Sequence, residues 1–166
     1  TRAEAEALLA GIVLDTKNFS MRTGGRTFEA AAFLRRAGAD TAEVKRLFQN
    51  DLEGTIAKYA IIQNAKLYRE KIAIAVVDHT VGRIVAAQAA DELLNIIGID
   101  TSFVLYPDGE RVIISARSMG DTNVQVILEK LGGGGNAAAA GGQISGKSLS
   151  QVATELTQAI DQYLEG

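Results

Sequence analysis

Ser115 and Arg117 stand two positions apart in the run Arg111-Val112-Ile113-Ile114-Ser115-Ala116-Arg117-Ser118. Read as a strand, its period of two puts Arg111, Ile113, Ser115 and Arg117 on one face and Val112, Ile114 and Ala116 on the other. An arginine and a hydroxyl projecting together are natural donors to a phosphate. One helix later the chain reads Gly132-Gly133-Gly134-Gly135-Asn136-Ala137-Ala138-Ala139-Ala140-Gly141-Gly142, six glycines and four alanines in eleven positions. A backbone this bare reaches φ > 0 and lets a ligand come close, and its N–H groups suit a phosphate. A flexible linker is the alternative for the loop, and an ordinary surface side chain for Arg117. The loop's arrival one helix after Arg117 favours the phosphate cradle.

Other candidates are weaker on spacing alone. Asn123 sits in the first turn of the intervening helix, where anions are favoured and plain capping is an equal reading. Asp15 ends the apolar run Gly11-Ile12-Val13-Leu14 and is a usable hard-metal ligand. With no carboxylate or histidine nearby in sequence, a helix-terminating cap is the better reading of it. His79, the only histidine, follows Asp78 in a turn and reads as solvated. Gly24-Gly25-Arg26-Thr27 suits either an anion or a turn with an N-cap threonine. No Walker loop exists: Gly146-Lys147-Ser148 lacks the earlier glycine at the required spacing.

Composition narrows the classes. The 166 residues are 47% apolar with a net charge of −3 from 17 basic and 20 acidic side chains. That supports a real core and argues against a surface-wide nucleic-acid or anionic-membrane binder. Without cysteine there is no disulfide framework or thiolate metal site. No apolar run approaches the roughly 18 residues of a membrane span.

The elements must hold these residues in place. Thr1 with Glu4 forms a capping box ahead of the stripe Leu8, Leu9, Ile12 and Val13. Thr27 to Ala37 predicts a helix closed by Gly38, and Asp40 with Glu43 opens another to about Phe48. Asp51 to Lys66 reads as a helical connector. Lys71 to Val77 predicts a buried strand, and Arg83 to Ile97 a helix ending at Gly98. Ser102 to Tyr106 and Arg111 to Ala116 flank Pro107-Asp108-Gly109-Glu110 as a hairpin. Thr122 with Gln125 predicts a capping box for a helix to Leu131. A short strand near Ala139 to Ile144 follows the glycine loop. Ser148 with Gln151 caps a last helix whose apolar face is Leu149, Val152, Leu156, Ile160, Tyr163 and Leu164. The expected class is α/β: helices over 1–50, a connector over 51–65, and a small β-α-β-β-α-β-α domain with a mixed sheet over 66–166. The helices of 1–50 leave an apolar stripe uncovered, which could support a homodimer.

Gly11 to Phe19, with Arg22-Thr23 and Arg26 to Ala31, resembles the last block of the DHH phosphoesterase domain. Ser115 to Ser118, Gly120 to Gln125 and the glycine loop resemble the DHH-associated C-terminal domain. Together they are most similar to bacterial cyclic-di-AMP phosphodiesterases of the membrane-anchored type. The resemblance implies the C-terminal portion of such an enzyme, facing the cytoplasm. It implies Asp15 as one ligand of a two-manganese (Mn2+) centre, and Ser115, Arg117, Asn123, Gly133, Gly134, Gly135 and Asn136 as holding the substrate. The implied reaction is metal-assisted hydrolysis of cyclic-di-AMP to linear pApA. Two departures stand out. The Asp-His-His motif and the earlier metal aspartates are missing, so the chain alone is expected to be inactive. Asn136 stands where the family loop has histidine. Related readings are the nanoRNA and pAp phosphatase branch, acting on short linear oligonucleotides, and a non-catalytic nucleic-acid module like the tail of alanyl-tRNA synthetases.

Overall fold

The computed structural model describes every residue from Thr1 to Gly166. The chain divides into two compact units, Thr1–Asp51 and Leu52–Gly166.

The first unit is three helices: α1 (Arg2–Asp15), α2 (Gly25–Arg36) and α3 (Thr41–Arg46). The Thr1–Glu4 capping box opens α1 as expected. Helix α2 starts two residues before Thr27, because the Thr27 hydroxyl accepts the Gly24 N–H from inside the first turn. After α1 the chain makes a left-handed turn, with Lys17, Asn18 and Phe19 at φ 49°, 58° and 64°. Side chains at positive φ are costly. Buried Thr16 offsets part of that cost: its Oγ1 accepts the Phe19 N–H and donates to the Ile12 carbonyl. Phe19 then stacks on Phe28 with ring centroids 5.3 Å apart. The core is small: Ala5, Leu9, Leu34, Ala39 and Val44.

The second unit runs α4 (Leu52–Gln63), β1 (Ala65–Tyr68), β2 (Ile72–Val76), α5 (Arg83–Leu93), β3 (Thr101–Asp108), β4 (Arg111–Ser118), α6 (Val124–Glu129), β5 (Gly134–Gly135), β6 (Ala139–Ser145) and α7 (Leu149–Glu165). Its sheet has the order β1-β2-β3-β4-β6-β5. Only β2 and β3 run parallel, so the α/β class with a mixed sheet holds. Alternation splits the strands between two cores. Phe103, Leu105, Val112, Ile114 and Ala116 pack with α6 and α7. Val104, Tyr106 and Ile113 pack with Ile61 of α4 and with Ala86, Ala89, Ala90 and Leu93 of α5. No helix is long and apolar enough to cross a membrane.

Four expectations change. The helix read as a connector over 51–65 is α4, a working layer of the second unit whose Ile61 is 1% exposed. Strands β1 and β5 were not expected. Helix α5 stops at Leu93, and Ile97 is fully exposed beyond it. The cap of α6 is Asn123 rather than Thr122: Asn123 Oδ1 accepts from the Gln125 and Val126 N–H groups, which leaves no place for a Thr122 box.

Candidate functional site

Strand register arranges the α5 side of the sheet in parallel rows. Ser115 lies opposite Val104 on one side and Gly141 on the other, and Gly141 opposite Gly134. One row along, Arg117 sits between Ser102 and Ala139; one row the other way, Ile113 sits between Tyr106 and Gln143. Helix α5 covers β3 and β4. The strands beyond them carry glycine, so the sheet offers backbone instead of a packed layer. A hollow of about 510 Å³ results, lined by Ser115, Gly132 to Gly134, Gly141, Gly142 and Gln143, with Arg83, Tyr106, Ile113 and Ile114. A larger hollow of about 750 Å³ lies between the turns at Asp108–Arg111 and Ser145–Lys147. Both of its cations are paired, Arg111 with Asp108 at 3.5 Å and Lys147 with Glu155 at 2.7 Å, and Glu110 adds a further acid to its lining.

The glycines have different reasons for being glycine. A Cβ on Gly133 would lie 2.5 Å from the Gly141 carbonyl oxygen, and one on Gly135, at φ 145°, would strike the backbone of Ala139 and Ala140. Both are required by the close approach of β5 to β6. Gly134 is different: a Cβ there would meet nothing. It lines the hollow, where the lack of a side chain leaves the backbone open.

Arg117 is half-buried and held. Its Nε forms an ion pair with Asp91 Oδ1 of α5 at 3.2 Å, and its Nη1 donates to the Ala116 carbonyl at 2.8 Å. A guanidinium has five N–H donors, so both contacts aim the group and leave donors over. The Ser115 hydroxyl makes no hydrogen bond within the chain. Asn136 closes its own loop: Oδ1 accepts from the Ala138 and Ala139 N–H groups at 2.9 Å each, and its N–H donates to the Ala139 carbonyl. That spends the oxygen and leaves the Nδ2 amide for a ligand. Asn123 likewise spends its oxygen on the α6 cap.

The structure thus brings Ser115, Gly133 and Gly134 into one hollow, with Arg117 one row away and Asn136 in the loop beside it. Gly135 shapes the loop from behind. Asp15 belongs to the other unit. Its carboxylate is 69% exposed, with Arg22 Nη1 at 3.6 Å. No three His, Asp or Glu side chains converge anywhere in the chain, so its residues by themselves do not fit a two-manganese centre. His79 is exposed, its Nδ1 3.0 Å from Asp78 Oδ1, as expected of a turn residue. Sequence reasoning missed Arg83 and Tyr106. Tyr106 reads as an ordinary core aromatic, and Arg83 as an ordinary first residue of a helix.

The DHHA1 domain profile matches residues 69–166. The chain is 46% identical to the cyclic-di-AMP phosphodiesterase GdpP of Bacillus subtilis, over 98% of this chain and 26% of that protein. It is 44% identical to the cyclic-di-AMP phosphodiesterase PdeA of Listeria monocytogenes, over 99% and 26%. The chain therefore spans about a quarter of the length of these curated relatives. An exopolyphosphatase-related protein from Bacteroides fragilis shares the fold, with TM-score 0.88 and 21% identity over 98% of this chain and 51% of that one.

Proposed function

The chain belongs to the DHHA1 family, and on that premise we propose that it is the nucleotide-holding part of a phosphodiesterase that opens cyclic-di-AMP to linear pApA. The observation that carries this reading is the row Ser115, Gly141 and Gly134, bare toward the hollow and flanked by Arg117. The names of the relatives supply the substrate class.

In this reading the free Ser115 hydroxyl donates to a phosphate oxygen. Arg117, aimed by Asp91, adds charge-assisted hydrogen bonds. Gly134 lets the phosphate approach the sheet where a side chain would exclude it. Asn136 donates from Nδ2 without adding charge. Manganese dependence is part of the proposal, with Asp15 as one ligand and the others on side chains outside these 166 residues. The work of this chain is binding and orientation, which decides the geometry of attack before any bond breaks.

Titration calorimetry of the chain with cyclic-di-AMP tests the reading. Arg117→Ala is expected to weaken binding about tenfold or more, as for a lost hydrogen bond to a charged group. No binding by the unaltered chain overturns the proposal, and tighter binding of a linear dinucleotide moves it to the linear-substrate branch. With manganese added, the chain is expected not to hydrolyse cyclic-di-AMP; turnover at enzymatic rates would show that the metal site is complete without further residues.

A further inference from the structure

Tyr106 is 1% exposed, and its Oη is the one buried side-chain polar atom without a hydrogen-bond partner. Leaving a buried hydroxyl unpaired is costly, and phenylalanine would fill the same place in the core without that cost. The hydroxyl belongs to a residue lining the hollow, with Arg83 at the first position of α5. Arg83 makes no ion pair or hydrogen bond, and it lies close enough for its charge to act on the Tyr106 phenol. No Asp or Glu lines this hollow. A cation entering it would find no carboxylate, whereas an anion would meet a guanidinium and a hydroxyl donor.

The register fixes where Tyr106 lies. Tyr106 is opposite Ile113, two residues along β4 from Ser115, a distance of about 7 Å at the rise of a strand. The Ser115 row continues onto glycine backbone at Gly141 and Gly134, and the Tyr106 row continues through Ile113 to Gln143. We propose that Tyr106 and Arg83 form a second anion subsite, one row along the sheet from Ser115, which receives a second phosphate group of a dinucleotide. The choice of a dinucleotide rests on the function proposed above; the anion chemistry rests on Tyr106, Arg83 and the absence of acids. Tyr106 Oη donates one hydrogen bond and the Arg83 guanidinium supplies charge. Burial pushes the phenol up; Arg83 draws it down and Asp108 raises it further, with a net rise that keeps the hydroxyl protonated and able to donate.

The test uses the 166-residue chain with Tyr106→Phe and Arg83→Gln, each titrated with cyclic-di-AMP and, separately, with inorganic phosphate followed by NMR at the arginine Nε–H signals. Thermal melts confirm folding, and Tyr106→Phe is expected to melt no lower than the parent because the orphan hydroxyl is gone. Each variant is expected to bind cyclic-di-AMP about tenfold more weakly, and phosphate is expected to move the Arg83 signal in the parent only. If both folded variants bind cyclic-di-AMP within a factor of about two of the parent, the subsite is overturned. If the parent binds no nucleotide yet phosphate moves the Arg83 signal and Tyr106→Phe abolishes that movement, the subsite stands and the cyclic-dinucleotide reading falls. If phosphate moves nothing and the parent binds no nucleotide, both fall.

Discussion

Residues 52–166 close a six-stranded sheet between two helical layers, each with its own buried cluster. Residues 1–51 bury five apolar side chains and Thr16, and leave Leu8, Leu14, Phe28, Phe33, Leu47 and Phe48 exposed. The site follows the same division. The larger unit carries a hollow, a held arginine and a free hydroxyl. The smaller carries the exposed Asp15 carboxylate at the end of α1, ahead of a left-handed turn. A unit that satisfies its own core can afford a bare glycine surface; one that does not has neither the rigidity nor the ligands to make a site alone.

The largest effects should come from the core of the second unit. Phe103→Ala, at a fully buried position, is expected to cost about 3–5 kcal/mol, read in denaturant melts followed by circular dichroism. Hydrogen exchange should show the first unit opening at much lower free energy, because few apolar contacts resist it. Equal protection of α1 and β3 would break the comparison.

Next in size is the contrast within the glycine run. Gly133→Val is expected to cost about 3 kcal/mol, because its Cβ meets the β6 backbone. Gly134→Ala should stay within about 0.5 kcal/mol in the same melts, yet weaken cyclic-di-AMP binding, since its Cβ projects into the hollow. A Gly134→Ala chain that binds as the parent does would show that the ligand lies elsewhere. Between the units, Asp15→Asn should leave binding of cyclic-di-AMP by this chain unchanged, whereas Asp91→Asn should weaken it by about threefold to tenfold through loss of the charge that aims Arg117. A large loss on Asp15→Asn would place nucleotide contact in the smaller unit.

Much of this was legible in the residues because period, caps and turns are local. The capping boxes at Thr1 and Ser148, the hairpin across Pro107 to Glu110 and the faces of β4 all follow from spacing. Strand β1 did not, because Ala65 to Tyr68 is short, pairs on one side only and follows a helix without a break. Strand β5 is two glycines, which carry no pattern to read. Asn123 displaced Thr122 as a cap because both residue types cap well and only the backbone chooses. Tyr106 was invisible as a site residue for a physical reason: a buried tyrosine looks alike in sequence whether its hydroxyl is bonded or orphaned.

The smallest and least obvious effect concerns Asn136. On spacing, histidine there should strengthen phosphate binding by bringing a second donor and, when protonated, charge. The structure adds an opposing term. Asn136 Oδ1 accepts two backbone N–H groups, from Ala138 and Ala139, and an imidazole nitrogen cannot accept both in the same way. Each bond is worth about 1 kcal/mol, comparable to the gain from an added charge at an exposed site such as this. Asn136→His should therefore change cyclic-di-AMP affinity only a few-fold near neutral pH. The two terms separate with pH. Affinity of the variant should rise relative to the parent as pH falls through the histidine range near 6.5, because only the variant gains charge there. Protection of the Ala138 and Ala139 amides should be lower in the variant at every pH. Unchanged protection together with pH-independent affinity would mean that this side chain neither shapes the loop nor faces the ligand.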